Sequence, residues 1–219
     1  PAGACEEGKP PAVGVMDAAA FQAATGVSRE TRERLEAYAA LLVRWQKAIN
    51  LVGPKTLPDL WRRHMLDSAQ LRPLVPDDSR CLVDLGSGAG FPGLVLAIMG
   101  VADVHLIESD ARKAAFLREA ARITETKITV HATRIETVEG LAADVVTARA
   151  FAPLDRLLES ASRFWQPATV GLFLKGQDID AELTTAAKCW RFQAERFPSR
   201  SDPSGVILRV GGLARNADR

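Results

Sequence analysis

The sequence predicts an α/β fold: a seven-stranded, mostly parallel sheet with an antiparallel C-terminal hairpin, preceded by a helical extension. Three observations lead there. From residue 81 onward, apolar strand-like runs alternate with helical stretches, the pattern of a parallel sheet covered on both faces. The last two strand-like runs are joined by Pro198-Ser199-Arg200-Ser201-Asp202-Pro203-Ser204-Gly205 with no helix between them, which makes a hairpin. Before residue 79 the apolar periodicity is helical over about 17–48 and again over about 57–75.

Residues 1–16, rich in Pro, Gly and Ala, read as a loosely ordered tail on a single domain spanning 17–219. Residues 17–78 form the helical extension and 79–219 the core. A first helix is expected over about 17–48, where Ser28 and Glu30 precede a stripe of Leu35, Tyr38, Ala39, Leu42 and Trp45. Asn50-Leu51-Val52-Gly53-Pro54 breaks it, with Asn50 pinning the break. A second helix, about 57–75, carries Leu60, Trp61, His64, Met65 and Leu71 until Pro73 and Pro76 end it. Strands are expected near 81–86, 103–108, 128–133, 143–149, 168–175, 189–197 and 205–211. Helices are expected near 90–99, 110–123, 153–164 and 178–187. Trp45, Trp61, Trp165 and Trp190 suit core positions better than base-stacking platforms.

The 219 residues carry 28 basic and 27 acidic side chains, a net charge of +1, so nucleic acid would need a local basic patch. Cys5, Cys81 and Cys189 are far apart and odd in number. They form neither a zinc spacing nor a disulfide framework, which points to a reducing cytoplasm and to no metal. Cys81 and Cys189 read as core residues. Neither a membrane-spanning run nor a secretory signal is expected. A monomer is the working expectation.

The densest signal is Leu82-Val83-Asp84-Leu85-Gly86-Ser87-Gly88-Ala89-Gly90-Phe91-Pro92-Gly93, a strand ending in an acid and then four glycines. Glycines there let a nucleotide lie almost on the backbone. Glu108 stands 22 residues past Gly86, at the end of Val104-His105-Leu106-Ile107, where a carboxylate accepts both ribose hydroxyls of an adenosine. Two cofactors compete. Gly88-x-Gly90-x-x-Gly93 fits a dinucleotide fingerprint, whose pyrophosphate wants bare N–H groups. Asp84 before Gly86-Ser87-Gly88-Ala89-Gly90 fits the S-adenosylmethionine (SAM) loop of Rossmann-like methyltransferases. There the acid attracts the ammonium group, directly or through water, and would repel a phosphate. A ligand-free glycine turn is the bland alternative. Seven strands ending in a hairpin favour the methyltransferase reading.

The chain resembles the RsmG (GidB) methyltransferases over roughly residues 30–212. The resemblance rests on Asn50-Leu51, Arg63-His64-Met65-Leu66-Asp67-Ser68, the loop from Asp84 to Gly93 with its Phe-Pro-Gly tail, and Glu108-Ser109 with Lys113 and Phe116-Leu117. It rests also on Arg134-Ile135-Glu136, Arg149-Ala150 and Leu174-Lys175-Gly176. It implies SAM as cofactor, S-adenosylhomocysteine as product, and methyl transfer to N7 of one guanine in 16S rRNA near the decoding region. It also implies that Arg134, Ile135 and Glu136 border the adenine. The family often has a basic residue at the entrance of the last strand. Here that stretch is Ser204-Gly205, and nearby Arg200 is expected in its place.

Guanine N7 offers a free lone pair, so alignment is needed and a general base is not. The chain has no Asn-Pro-Pro-Tyr or Asp-Pro-Pro-Tyr tetrad after the fourth strand, where Ala148-Arg149-Ala150-Phe151 stands, and no Pro-Cys pair for covalent attack. Arg149 and Lys175 end strands four and five at the binding edge of the sheet, and are expected to position the substrate through phosphate or guanine O6. The cofactor set is then Asp84, Gly86, Ser87, Gly88, Gly90, Phe91, Glu108, Ser109, Arg134, Ile135, Glu136 and Arg149. The RNA-facing set is His64, Arg149, Lys175 and Arg200. His64, Asp67 and Ser68 share a helix face and are expected to dock the extension onto the loop. Lys55, Arg62, Arg63, Arg118, Arg122, Lys127 and Arg200 form a candidate phosphate surface, interrupted by glutamates. The expected substrate is 16S rRNA within the small ribosomal subunit. A small-molecule methyltransferase, or a SAM- or RNA-binding module without turnover, keeps the same loop and remains open.

Overall fold

A Gly-Val-Ser step divides the first helix in two. In the computed structural model, which describes residues 14–216, α1 (Ala18–Thr25) is capped by the Asp17 side chain and stopped by Gly26 at φ +70°. Helix α2 (Arg29–Trp45) restarts at Ser28, whose hydroxyl accepts from the Thr31 N–H. The single helix expected over 17–48 is therefore two, and the dividing signal is a C-capping glycine followed at once by an N-capping serine. Most of the tail, residues 1–13 with Cys5, lies outside the described residues. Its last residue, Met16, is buried and donates its N–H to Asp59.

The expected helix over 57–75 winds irregularly. Pro54–Asp59 is a 3₁₀ turn, Trp61–Leu66 a π turn, and α3 (Asp67–Ala69) a short α turn. Gln46 is the main holder of the break before it, and Asn50 takes part through a long bond, its Oδ1 accepting from the Gln46 side-chain nitrogen at 3.4 Å. The Gln46 amide oxygen accepts from the N–H groups of Leu51 and Val52, and its nitrogen donates to the Val52 carbonyl.

The core follows the expected alternation. Strands β1 (Leu82–Leu85), β2 (Val104–Ile107), β3 (Ile128–His131), β4 (Ala143–Arg149) and β5 (Trp165–Lys175) are parallel neighbours. Strands β6 (Trp190–Pro198) and β7 (Val206–Arg215) form the antiparallel hairpin, and β7 inserts beside β5, giving the order β3-β2-β1-β4-β5-β7-β6. Helices α4 (Gly93–Ile98) and α5 (Ala111–Ile123) share one apolar core with the extension. Helices α6 (Leu154–Ser162) and α7 (Ile179–Ala186) cover the other face with a second core. Trp190 is buried and Trp45, Trp61 and Trp165 pack against the cores as expected. Cys189 departs from expectation: it lies in the turn before β6 and is exposed. No helix among the described residues is long and apolar enough to cross a membrane.

The extension is fastened to the core by aromatic packing. Tyr38 lies fully buried against Phe91 at 5.4 Å and Phe116 at 6.1 Å, and donates its hydroxyl to the Ala89 carbonyl. Trp45 meets Phe116 edge-on at 5.6 Å. Below them, α4 approaches β1 so closely that a Cβ on Gly93 would lie 2.5 Å from a Leu106 methyl and 2.7 Å from the Asp84 Cβ. Gly93→Ala is expected to lower stability by about 1–3 kcal/mol through overpacking, measured by urea unfolding. An unchanged midpoint would contradict this approach of α4 to the sheet.

Candidate active site

The loop leaving β1 crosses the C-terminal edge of the sheet through glycines at positive φ: Gly86 at +62°, Gly88 at +55° and Gly90 at +98°. Only glycine takes such angles without strain. At Gly86 a Cβ would also stand 2.6 Å from the Phe151 ring. Most of the loop's donors are engaged. Ser87 N–H donates to the Ile107 carbonyl at 3.0 Å, Gly88 N–H to Glu108 Oε2 at 2.8 Å, and Gly90 N–H to the Ser87 carbonyl at 2.7 Å. With these three donors occupied, the loop offers fewer free N–H groups to a pyrophosphate, which weighs against the dinucleotide reading.

Two cavities meet at Gly86. The smaller, about 260 Å³, is lined by Ile107, Glu108, Ser109, Thr133, Arg134, Ile135, Glu136 and Phe151. The Glu108 carboxylate is held from both sides, by Gly88 N–H and by Asp110 N–H at 2.8 Å each. Each carboxylate oxygen keeps a further lone pair for a hydroxyl. Apolar walls from Ile107, Ile135 and Phe151 beside one fixed carboxylate fit an adenosine, so the residues present suit SAM. Glu108, Ser109, Arg134, Ile135 and Glu136 are brought together here as the sequence predicts.

The wider cavity, about 530 Å³, is bounded by the loop, the extension and the β6–β7 connection. Arg63, His64, Asp67, Lys113, Arg149, Lys175 and Asp202 line it. Arg149 ends β4 with its guanidinium carbon 4.9 Å from the Phe91 ring centroid, and donates to the Arg63 carbonyl at 3.2 Å and Asp67 Oδ2 at 3.4 Å. Burial lowers its pKa, against the pull of Asp67. His64 stacks on the same ring, its centroid 5.0 Å from that of Phe91. Thr56 gives its hydroxyl proton to the Gly53 carbonyl, so at 2.7 Å it must accept from His64 Nε2–H. His64 Nδ1 is then a buried lone pair. Burial, with Arg149 and Arg63 nearby, pushes the imidazole down to about 3.

Several expected contacts are placed otherwise. Asp84 is fully buried beneath the loop and reaches neither cavity; its Oδ1 accepts from the Thr147 hydroxyl at 2.7 Å. Gly90 faces Tyr38 and Leu94 rather than a cavity. Arg200 turns away, because its guanidinium donates to the Ala24 carbonyl at the end of α1, 2.8 Å away. Lys175 points at the site but is engaged, bound to Glu182 at 2.6 Å and to the Ala152 carbonyl at 3.0 Å. It braces the β4–α6 loop on α7. Asn50 is exposed and outside both cavities. Of the candidate phosphate surface, Arg122 pairs with Glu119, Arg62 with Asp59, and Arg63 with Asp202 at 2.6 Å.

The docking role of His64-Asp67-Ser68 takes a form of its own. Ser68 donates to the His64 carbonyl at 2.7 Å, while Asp67 accepts from Ser201 and from Gln70. Gln70 in turn binds Ser199 and the Arg200 N–H. Thr56, Gln46, Thr147 and Ser201 were not singled out from the sequence, and Tyr38 was read only as part of the apolar stripe of the first helix. Thr147 carried a usable signal: it is the one hydroxyl in an apolar strand, in register with Asp84 across β1 and β4.

A family model described as GidB, rRNA small subunit methyltransferase G, matches residues 31–202. A ribosomal RNA small subunit methyltransferase G from Rhodospirillum rubrum is 60% identical over 200 residues, covering 91% of this chain and all of that protein. The namesake from Paramagnetospirillum magneticum is 62% identical over 191 residues, 87% of this chain and 93% of that one. Among solved structures, a putative O-methyltransferase from Klebsiella pneumoniae aligns with TM-score 0.53 at 15% identity, covering 86% of this chain and 92% of its own. A ribosomal protein L11 methylase from Lactobacillus delbrueckii subsp. bulgaricus aligns with TM-score 0.52 at 15% identity, covering 68% and 79%. These last likenesses are of fold, and the fold is that of the Rossmann-like methyltransferases.

The site generates a stability prediction. Burial pushes the Asp84 carboxyl up to about 6 from 3.8, opposed by the Thr147 hydrogen bond. The folded chain thus holds this proton more tightly than the unfolded chain. Stability falls as pH rises from about 4 to about 6 and stays lower above. Asp84→Asn escapes that loss and should gain on the native chain by about 3 kcal/mol across the interval, at roughly 1.36 kcal/mol per unit. Urea unfolding of both proteins across pH measures it, and a difference independent of pH would refute it.

Proposed function

The chain belongs to the GidB family of rRNA small subunit methyltransferases, and we propose that it methylates N7 of one guanine in 16S rRNA of the small ribosomal subunit, using SAM. We place this activity in the cytoplasm and in a monomer. SAM supplies a methyl group made electrophilic by its sulfonium and departs as S-adenosylhomocysteine. Glu108 accepts the ribose hydroxyls, and Ile107, Ile135 and Phe151 enclose the adenine in the smaller cavity. The Gly86–Gly88 backbone separates that cavity from the wider one, in which the base is presented.

The observation that carries the N7 reading is the state of the titratable groups lining the wider cavity. His64 is held neutral, down to about 3. Asp202 is pulled down to about 2, chiefly by its hydrogen bond from Arg63. Asp67 is engaged by Ser201, Gln70 and Arg149. Neither His64 nor Asp202 is tuned to remove a proton near neutrality, as an amino-group or hydroxyl acceptor would require. N7 of neutral guanine needs no such step. The chain's work is alignment and exclusion of water. Arg149, anchored on Asp67 and the Arg63 carbonyl, presents a fixed guanidinium for guanine O6 or a flanking phosphate. Lys113 and Arg63 add positive charge at the mouth.

The deciding experiment is transfer of labelled methyl from SAM to small subunits taken from cells lacking this protein, followed by nucleoside analysis. Label in 7-methylguanosine is expected. Label in another nucleoside would keep the enzyme class and overturn the target atom. Absence of label despite SAM binding would favour a small-molecule substrate or a binding module.

Two substitutions test the division of labour. Glu108→Ala should weaken SAM binding at least tenfold by calorimetry, since hydrogen bonds to a charged group contribute about 1.5–3 kcal/mol. Lys175→Ala should lower methyl transfer more than it weakens SAM binding, because Lys175 lines the wider cavity in which the base is presented. Equal loss of SAM affinity in both would refute the split.

A further inference from the structure

At the opposite, N-terminal edge of the sheet stands a group of side chains that methyl transfer does not use. Cys81 precedes β1, Asp103 precedes β2, and His105 is the second residue of β2. The Cys81 Sγ, an Asp103 carboxylate oxygen and a His105 ring nitrogen all lie within 4.8 Å of one another. His105 Nε2 is 3.3 Å from Asp103 Oδ1. Zinc bonds of about 2.0–2.3 Å at tetrahedral angles put neighbouring ligand atoms roughly 3.3–3.6 Å apart.

The orientation of His105 is the second observation. Its Nδ1 is 2.9 Å from His131 Nε2 on β3, and the two rings stack at 5.2 Å. A histidine that binds a metal through one nitrogen characteristically donates its other N–H to an acceptor behind it. His131 is that acceptor. Asp103 is 62% exposed, which leaves an entry path from solvent, whereas the His105 side chain is 14% exposed.

We propose that Cys81, Asp103 and His105 form a binding site for one zinc-like divalent cation, with water completing the tetrahedron. Cysteine spacing does not register this group, for a geometric reason. The ligands come from the starts of two paired strands, and their sequence intervals follow the βαβ crossover rather than a zinc-finger loop. Coordination displaces the thiol proton, which leaves to solvent, and the metal–sulfur bond takes its place. The cation then ties the start of β1 to β2, and through His105 to β3.

Cobalt(II) is the probe, added to the reduced, metal-free full chain. A thiolate-to-cobalt absorption band saturating at one equivalent is expected, displaced by zinc(II). Cys5→Ser with Cys189→Ser should retain the band, and Cys81→Ser should abolish it with the circular dichroism unchanged. His131→Phe, which keeps the stacking but removes the acceptor, should weaken cobalt binding about 10–100-fold. Absence of a band in the native chain, or a band that survives Cys81→Ser, would overturn the site. Should Cys81→Ser fail to fold, Asp103→Asn decides, because the exposed carboxylate is dispensable for packing. A loss of cobalt affinity of at least tenfold supports the site, and unchanged affinity refutes it.

Discussion

The Asp84 carboxylate, shut off from water between β1 and α4, is the constraint on which the binding edge of the sheet depends. A buried acid must be neutral or hydrogen-bonded. Thr147, directly across the β1–β4 ladder, supplies the hydroxyl. The approach of α4 over the same side chain forces a residue without Cβ at Gly93. Between these two fixed points the chain has few residues in which to turn, and it does so through the positive-φ glycines. A second carboxylate, Glu108, then holds the loop from the side through Gly88. One acid sets the loop's height above the sheet, the other its lateral position, and only the second faces the cavity.

Much of this was legible in the sequence, because its signals are local. Strand and helix alternation, the glycine loop and the carboxylate ending β2 all declare themselves within a few residues. The winding of the extension was not legible, since a periodicity read at 3.6 residues per turn does not distinguish a continuous helix from 3₁₀ and π turns in sequence. The split between α1 and α2 was visible in Gly26 and Ser28, yet the apolar stripe on both sides masked it. Cys189 looked like core because the strand-like run begins beside it, and the turn before β6 leaves it exposed.

The site divided along the same line. Glu108 lies where the end of β2 must place it, so position in the sheet sufficed, whereas the Arg134–Glu136 segment was expected from the family resemblance and lines the same cavity. Lys175 was judged by charge and strand position, and Arg200 by the family's habit of placing a basic residue near the last strand. Their actual partners, Glu182 and the Ala24 carbonyl, are determined by packing of remote elements. Gln46 and Tyr38 bind backbone groups 5 to 51 residues away, and no local pattern marks them.

The extension is joined to the β6–β7 connection by Arg63–Asp202 and Gln70–Ser199, pairs 139 and 129 residues apart. These bonds cannot exist until the chain has been made almost to its last strand. Contacts of such separation close late, because a long loop must be ordered before they form. The extension, which precedes the core in the chain, is thus completed after it. The wider cavity, which needs both of its walls, takes shape only after the sheet beneath it has assembled. A nascent chain can therefore build the smaller cavity, whose walls come from the segments between β1 and α6, well before the wider one has both of its walls.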